Sequence, residues 1–129
     1  MKQRRILPLC AAVLAAGLWL APALAQQNLT EIKDESLGDP ARAAVPFPHN
    51  AHNVKAGLKD CGACHHTFKN GKRVRGRASV NQKCVECHSA QPGPNDTTLS
   101  LMSAYHRLCQ DCHTAQNKGP VTCGQCHKK

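Results

Sequence analysis

The chain has 129 residues, among them nine Cys and eight His, with a formal net charge of +9 and only 3% aromatic residues. That length fits one domain, with or without a leader. Leu, Ile, Val and Phe make up roughly 14 per cent of the residues from 26 onward, too few for an ordinary hydrophobic core, so a folded state needs disulfides, metals or cofactors as staples.

In chain order, Met1–Arg5 is basic, Ile6–Leu20 is mostly apolar and Ala23-Leu24-Ala25 is a small-residue cleavage site, so residues 1–25 are expected to be a cleaved signal peptide. The apolar run is too short for a convincing membrane span. Cys10 follows Leu9, without the small residue a lipidation box places before its cysteine, and reads as incidental. Residues 26–44 form an N-terminal extension, expected to be extended or loosely docked, in which Glu31, Asp34, Glu35 and Asp39 gather. Residues 45–129 are expected to be a single domain. It opens on a small hairpin before His49, and His49 and His52 stand three apart on one side of a turn. Lys69, Lys72, Arg73, Arg75 and Arg77 make a basic loop, and Gln91-Pro-Gly-Pro-Asn-Asp96 reads as a turn. Thr98–His113 carries Leu101, Tyr105 and Leu108 at helical spacing and is the strongest helix of the chain. The expected fold class is therefore mainly α with much irregular structure.

Eight of the cysteines form four units of one kind: Cys61-Gly-Ala-Cys64-His65, Cys84-Val-Glu-Cys87-His88, Cys109-Gln-Asp-Cys112-His113 and Cys123-Gly-Gln-Cys126-His127. C-x-x-C-H is the attachment signature of c-type haem. Two thiols three positions apart on a helical turn add to the two vinyl groups on one porphyrin edge, and the next His supplies an axial nitrogen to the iron. At these Cys and His frequencies chance gives such a unit roughly 0.04 times in the chain, and four occur. Disulfides and zinc ribbons leave the His after every second Cys unexplained, and a thioredoxin-like role wants one C-x-x-C beside a βαβ pattern. Four irons with two axial ligands each take eight imidazoles. His65, His88, His113 and His127 come from the motifs, and His49, His52, His66 and His106 complete the count without remainder. Adjacent in sequence, His65 and His66 diverge and serve different irons. Met102 is then a packing residue, and apolar residues of the long helix are expected to pack on porphyrin.

Residues 45–127 resemble the class III cytochromes c, the tetrahaem cytochrome c3 family. The resemblance rests on Val45-Pro-Phe47-Pro-His49-Asn-Ala-His52, on Cys61-Gly-Ala-Cys64-His65-His66, on Cys84–His88, on Tyr105-His106-Arg-Leu-Cys109 through His113, and on Gly119-Pro-Val-Thr-Cys123 through His127. It implies a small cytochrome c3-like domain with four haems as its core. It also implies a ligand pairing, with haems numbered in chain order: His49 distal on haem 1, His66 on haem 2, His52 on haem 3 and His106 on haem 4. Phe47 is similar to the family aromatic packed between haems. Two departures stand out. All four motifs are C-x-x-C-H, whereas many members stretch some of them, and His106 lies only three residues before Cys109. The tight H-x-x-C-x-x-C-H arrangement resembles the membrane-complex-associated branches, including the type II cytochromes c3.

Removing Lys2, Arg4 and Arg5 with the leader takes the net charge from +9 to +6. Each ferric haem adds about −1, which brings a tetrahaem protein to about +2, and full reduction to about −2. Bis-histidine ligation favours low potentials and leaves no open iron position, so outer-sphere electron transfer is expected, with proton uptake coupled to reduction. The basic loop either docks an acidic redox partner or offsets nearby propionates. An exported chain without aromatic stacking positions is not expected to bind nucleic acid. The resemblance implies a periplasmic electron carrier, not an enzyme, working between a donor such as hydrogenase and a membrane-bound redox complex in sulfate respiration. The alternatives are a multihaem reductase of a small oxyanion or metal, and a docked electron-transfer subunit of a transmembrane complex. The isolated chain is expected to be a monomer that meets the membrane peripherally, through a partner.

Overall fold

The computed structural model describes residues 29–128, so the expected signal peptide and Cys10 lie outside the described residues. Short elements follow one another along the chain. Strand β1 (Glu31–Ile32) pairs antiparallel with β2 (Val45–Pro46), and a 3₁₀ turn, Glu35–Leu37, lies between them. Helix α1 (His49–Ala56) follows, then the 3₁₀ turn Cys61–Ala63 and a hairpin of β3 (His66–Lys69) with β4 (Lys72–Ala78). A third 3₁₀ turn, Cys84–Glu86, precedes the long helix α2 (Leu101–Gln116) and the single turn α3 (Cys123–Cys126).

The fold is less helical than expected. The small hairpin before His49 is present, but the basic stretch read as a loop is a second and longer hairpin. Asn70 and Gly71 have φ of 51° and 72°, the paired positive φ of a two-residue hairpin turn. Thr67, Phe68 and Val74 supply β-favouring side chains on either side. A register irregularity between His66 and Phe68 absorbs the extra length of β4, where Gly76 has φ of 72°.

Helix α2 starts three residues later than its periodicity suggests. Ser100 is its cap: Ser100 Oγ accepts from the Ser103 amide at 3.2 Å. It ends at Asn117 (φ 50°), whose amide donates to the His113 and Thr114 carbonyls. Helix α1 ends likewise on Gly57 (φ 65°).

Residues 29–44 are not loosely docked. The Phe47 and His49 amides donate to the Thr30 and Leu29 carbonyls at 2.7 and 2.9 Å, and Tyr105 Oη on α2 donates to Asp34 Oδ2 at 3.0 Å. Burial pushes the Tyr105 hydroxyl up, reinforced by Cys84 and then Asp34, so it remains a donor. Among the described residues Leu101 is the only hydrophobic side chain fully removed from solvent, and no polar or charged residue is buried. Side chains packed on one another therefore do not form the core.

Candidate functional site

Each C-x-x-C-H unit is wound into one tight turn, by local means that differ between the four. In the first, Asp60 Oδ1 accepts from the Gly62 amide at 2.8 Å. In the second, Glu86 Oε1 accepts from the Lys83 amide at 2.7 Å. The third lies inside α2. The fourth is α3, where Gln125 Oε1 accepts from the Val121 and Thr122 amides, both at 3.0 Å. The amides of His65, His88 and His127 donate to the carbonyls of Cys61, Cys84 and Cys123 at 2.9, 2.8 and 2.8 Å. An i to i+4 bond of this kind brings both thiols and the imidazole to one side of the turn, the arrangement that attachment to one porphyrin edge requires. None of the eight described cysteines is paired in a disulfide. Burial, then the nearby Cys112, pushes the Cys64 thiol up, and burial, then Cys64, does the same at Cys109.

The eight histidines meet in twos. Ring centres are 6.3 Å apart for His49 and His65, 5.9 Å for His66 and His88, 6.2 Å for His52 and His113, and 6.2 Å for His106 and His127. Every pair joins one motif histidine to one from elsewhere, and these are the pairings the resemblance implies. Metal–nitrogen bonds of about 2 Å, with roughly 1.1 Å more from each nitrogen to its ring centre, would separate two imidazoles on opposite sides of one metal by about 6.2 Å. Among the described residues no three or more His, Cys, Asp or Glu side chains converge as they would on an ion held by side chains alone. Pairs of imidazoles beside paired thiols suit a metal whose other four ligands come from a macrocycle.

The ring nitrogens are oriented for that role. His88 Nδ1 donates to the Leu99 carbonyl at 2.9 Å, His106 Nδ1 to Met102 at 2.8 Å, His113 Nδ1 to Pro120 at 2.6 Å and His127 Nδ1 to Ala43 at 2.7 Å. A proton held on Nδ1 leaves the lone pair on Nε2, and such a second bond fixes the ring of a metal ligand. His49 Nδ1 faces Asn50 Oδ1 at 3.1 Å, which selects the same tautomer, although its Nε2 lone pair here accepts from Asn53 Nδ2 at 3.3 Å. His52 Nδ1 is buried without a hydrogen-bond partner, and the Phe47 ring stands 4.7 Å from its ring instead. Burial lowers the pKa of His65, with help from His49, and that of His66, with help from Arg73, His88 and His65, so both favour the neutral, ligating form.

Several contacts here have no counterpart in the sequence reading. The carbonyl acceptors are backbone atoms and carry no sequence signal. Arg73 on β4 donates to the carbonyls of Gly62 and Ala63, the latter at 3.1 Å, and so ties the second hairpin to the first motif turn. Gly119 packs flat on the His113 ring. A cleft of about 160 Å³ opens beside His106 and His127, between α2 and the N-terminal segment, where Ile32, Leu37 and Val45 face Met102 and Tyr105. Met102, expected to be a packing residue, is half exposed at the cleft wall. The donor set, its spacing and the fixed tautomers all fit c-type haem.

The model of the class III cytochrome c family matches residues 24–127. The chain is 36% identical over 97 residues to cytochrome c3 of Maridesulfovibrio salexigens, across 68% of this chain and 81% of that relative. It is 39% identical over 46 residues to cytochrome c7 of Geobacter metallireducens, across 36% of this chain and 49% of that one. A solved structure from the triheme cytochrome family of Geobacter sulfurreducens superposes with a TM-score of 0.39 at 26% identity, over 78% of this chain and all of that one.

Proposed function

The chain belongs to the class III cytochrome c family, a family of multihaem electron carriers, and from that premise we propose a carrier with four c-type haems, each held by one C-x-x-C-H unit and two histidines. Cys61 and Cys64 attach the first, with His65 and His49 as axial ligands. Cys84 and Cys87 attach the second, with His88 and His66. Cys109 and Cys112 take the third, with His113 and His52, and Cys123 and Cys126 the fourth, with His127 and His106. The observation that carries this reading is the set of four ring pairs at 5.9–6.3 Å, each linking a motif histidine to a distant one.

The haems supply reversible one-electron chemistry at iron. The protein's part would be to hold each iron through the two histidines of a pair, which would leave no position open for a substrate. Carbonyl acceptors on Nδ1 increase the electron donation of His88, His106, His113 and His127, which favours low potentials. We place the carrier in the periplasm, on the strength of the leader-like residues 1–25. Its proposed partners are a hydrogenase-like donor and a membrane-bound redox complex of sulfate respiration. No described helix is long and apolar enough to cross a membrane, so contact with such a complex is assigned to the surface of the domain.

Intact mass and a haem assay on the exported protein test the count. The expected result is four covalent haems on a chain starting at Gln26, with low-spin spectra throughout the oxidised state. Three haems, or one stoichiometric high-spin haem, would refute the bis-histidine tetrahaem reading, and the high-spin case would favour a reductase.

A further inference from the structure

The β3–β4 hairpin carries a charge that does nothing for its own stability. Lys69, Lys72, Arg75 and Arg77 are all exposed, and no carboxylate occurs between Asp60 and Glu86. Among the described residues none of these four side chains has a hydrogen bond or ion pair. Lys69 and Lys72 are direct cross-strand partners beside the Asn70-Gly71 turn, a pairing of like charges that weakens a sheet. The fifth cation, Arg73, is instead engaged by the Gly62 and Ala63 carbonyls.

The arm is nonetheless firmly mounted. The Ser79 amide donates to the His65 carbonyl at 2.7 Å, and Ser79 Oγ to the His66 carbonyl at 3.0 Å. Its first residue is His66, whose ring faces His88. Lys69 stands three strand residues further, about 10 Å along the chain at the usual rise. The unpaired cations are thus held at a short, fixed distance from one of the four imidazole pairs. A lipid-surface element would want an amphipathic face with several apolar residues. The only large apolar side chain exposed here is Phe68, whose ring stands 5.4 Å from that of His66.

We infer that this arm is a docking surface for an acidic redox protein, which it seats beside the His66–His88 pair. The inference rests on the electron-carrier reading and adds to it a place and a partner chemistry. Charge complementarity around such a site steers encounter and sets the salt dependence of binding more than it adds contact area.

The test titrates the holoprotein with an oxidised plant-type ferredoxin, as an acidic redox probe, in a calorimeter at low and moderate salt. Binding then needs no electron transfer, and reduction by dithionite checks the carrier reading separately. Lys69→Glu with Lys72→Glu, and Arg75→Glu with Arg77→Glu, are expected to raise the Kd at least about tenfold and to flatten its salt dependence. Lys118→Glu with Lys128→Glu makes the same change in net charge outside the arm and is expected to leave the Kd within about twofold. Glutamine replacements at the four arm positions serve where charge reversal lowers haem content. An equal loss in arm and control variants would overturn the assignment, because net charge alone would then govern binding. So would arm-dependent binding to phosphatidylglycerol vesicles with none to ferredoxin, which would make the arm a lipid contact.

Discussion

The imidazole of His113 is gripped from two directions by neighbouring backbone. The Pro120 carbonyl takes the Nδ1 proton, and the Gly119 main chain lies against the ring so closely that a Cβ there would stand 2.7–2.9 Å from Cδ2, Cγ and Nε2. Gly119 also has φ of 90°, where a side chain costs on the order of 1–3 kcal/mol in backbone strain. Gly119→Ala should therefore displace the ring, not merely strain the loop. The expected outcome is loss of the low-spin signal of one haem in the electron paramagnetic resonance spectrum, with a lower Tm. Gly124→Ala, whose Cβ would meet nothing within 4 Å, should leave both unchanged. An intact spectrum in Gly119→Ala would show that His113 does not depend on this wall. The histidines themselves were legible from sequence, because their count closes against the motifs. The wall was not, since it forms only when Asn117 (φ 50°) turns the chain back along α2.

Elements show a similar division. Periodicity found α2, but its first turn is set by the hydroxyl of Ser100 that caps it, which periodicity does not mark. The second hairpin was hidden by its charge: Lys and Arg at consecutive positions look like a solvated loop, although Asn70-Gly71 is a strong hairpin signal. What makes the hairpin part of the site is Arg73, which joins the strand following His66 to the turn preceding His65. Hydrogen bonds from a charged donor contribute about 1.5–3 kcal/mol, so Arg73→Gln should destabilise the domain by an amount in that range. Amide hydrogen exchange at Thr67 and Ser79 should quicken, while α2 amides stay protected. Uniform acceleration across both elements would mean that the clamp is global in effect and does not belong to the hairpin. On α2, Tyr105→Phe removes the bond to Asp34 and should cost about 0.5–1.5 kcal/mol, read as faster exchange at the Phe47 and His49 amides.

At the scale of the whole molecule the low apolar content and the cysteine count describe the same property. The described chain buries one large hydrophobic side chain, Leu101, and its remaining order comes from capped turns, two short hairpins and backbone bonds such as that from the Leu101 amide to the Ser89 carbonyl. The histidine pairs draw on residues as far apart as His52 and His113, so the topology is written in where the histidines meet and not in a pattern of buried side chains. This is why composition pointed to cofactors while leaving the three-dimensional arrangement open. One buried leucine cannot offset the conformational entropy of ordering a hundred residues, and chains in that position fold only with their cofactors. The haem-free chain, made without attachment of the cofactor, is accordingly expected to be unfolded. Its amide NMR spectrum should show little dispersion and its circular dichroism little helix, with α2 no better formed than an isolated peptide of sixteen residues. The holoprotein should give a dispersed spectrum under the same conditions. A well-dispersed haem-free spectrum would mean that turns and hairpins suffice, and the axial ligands would then be accessories to a fold already made.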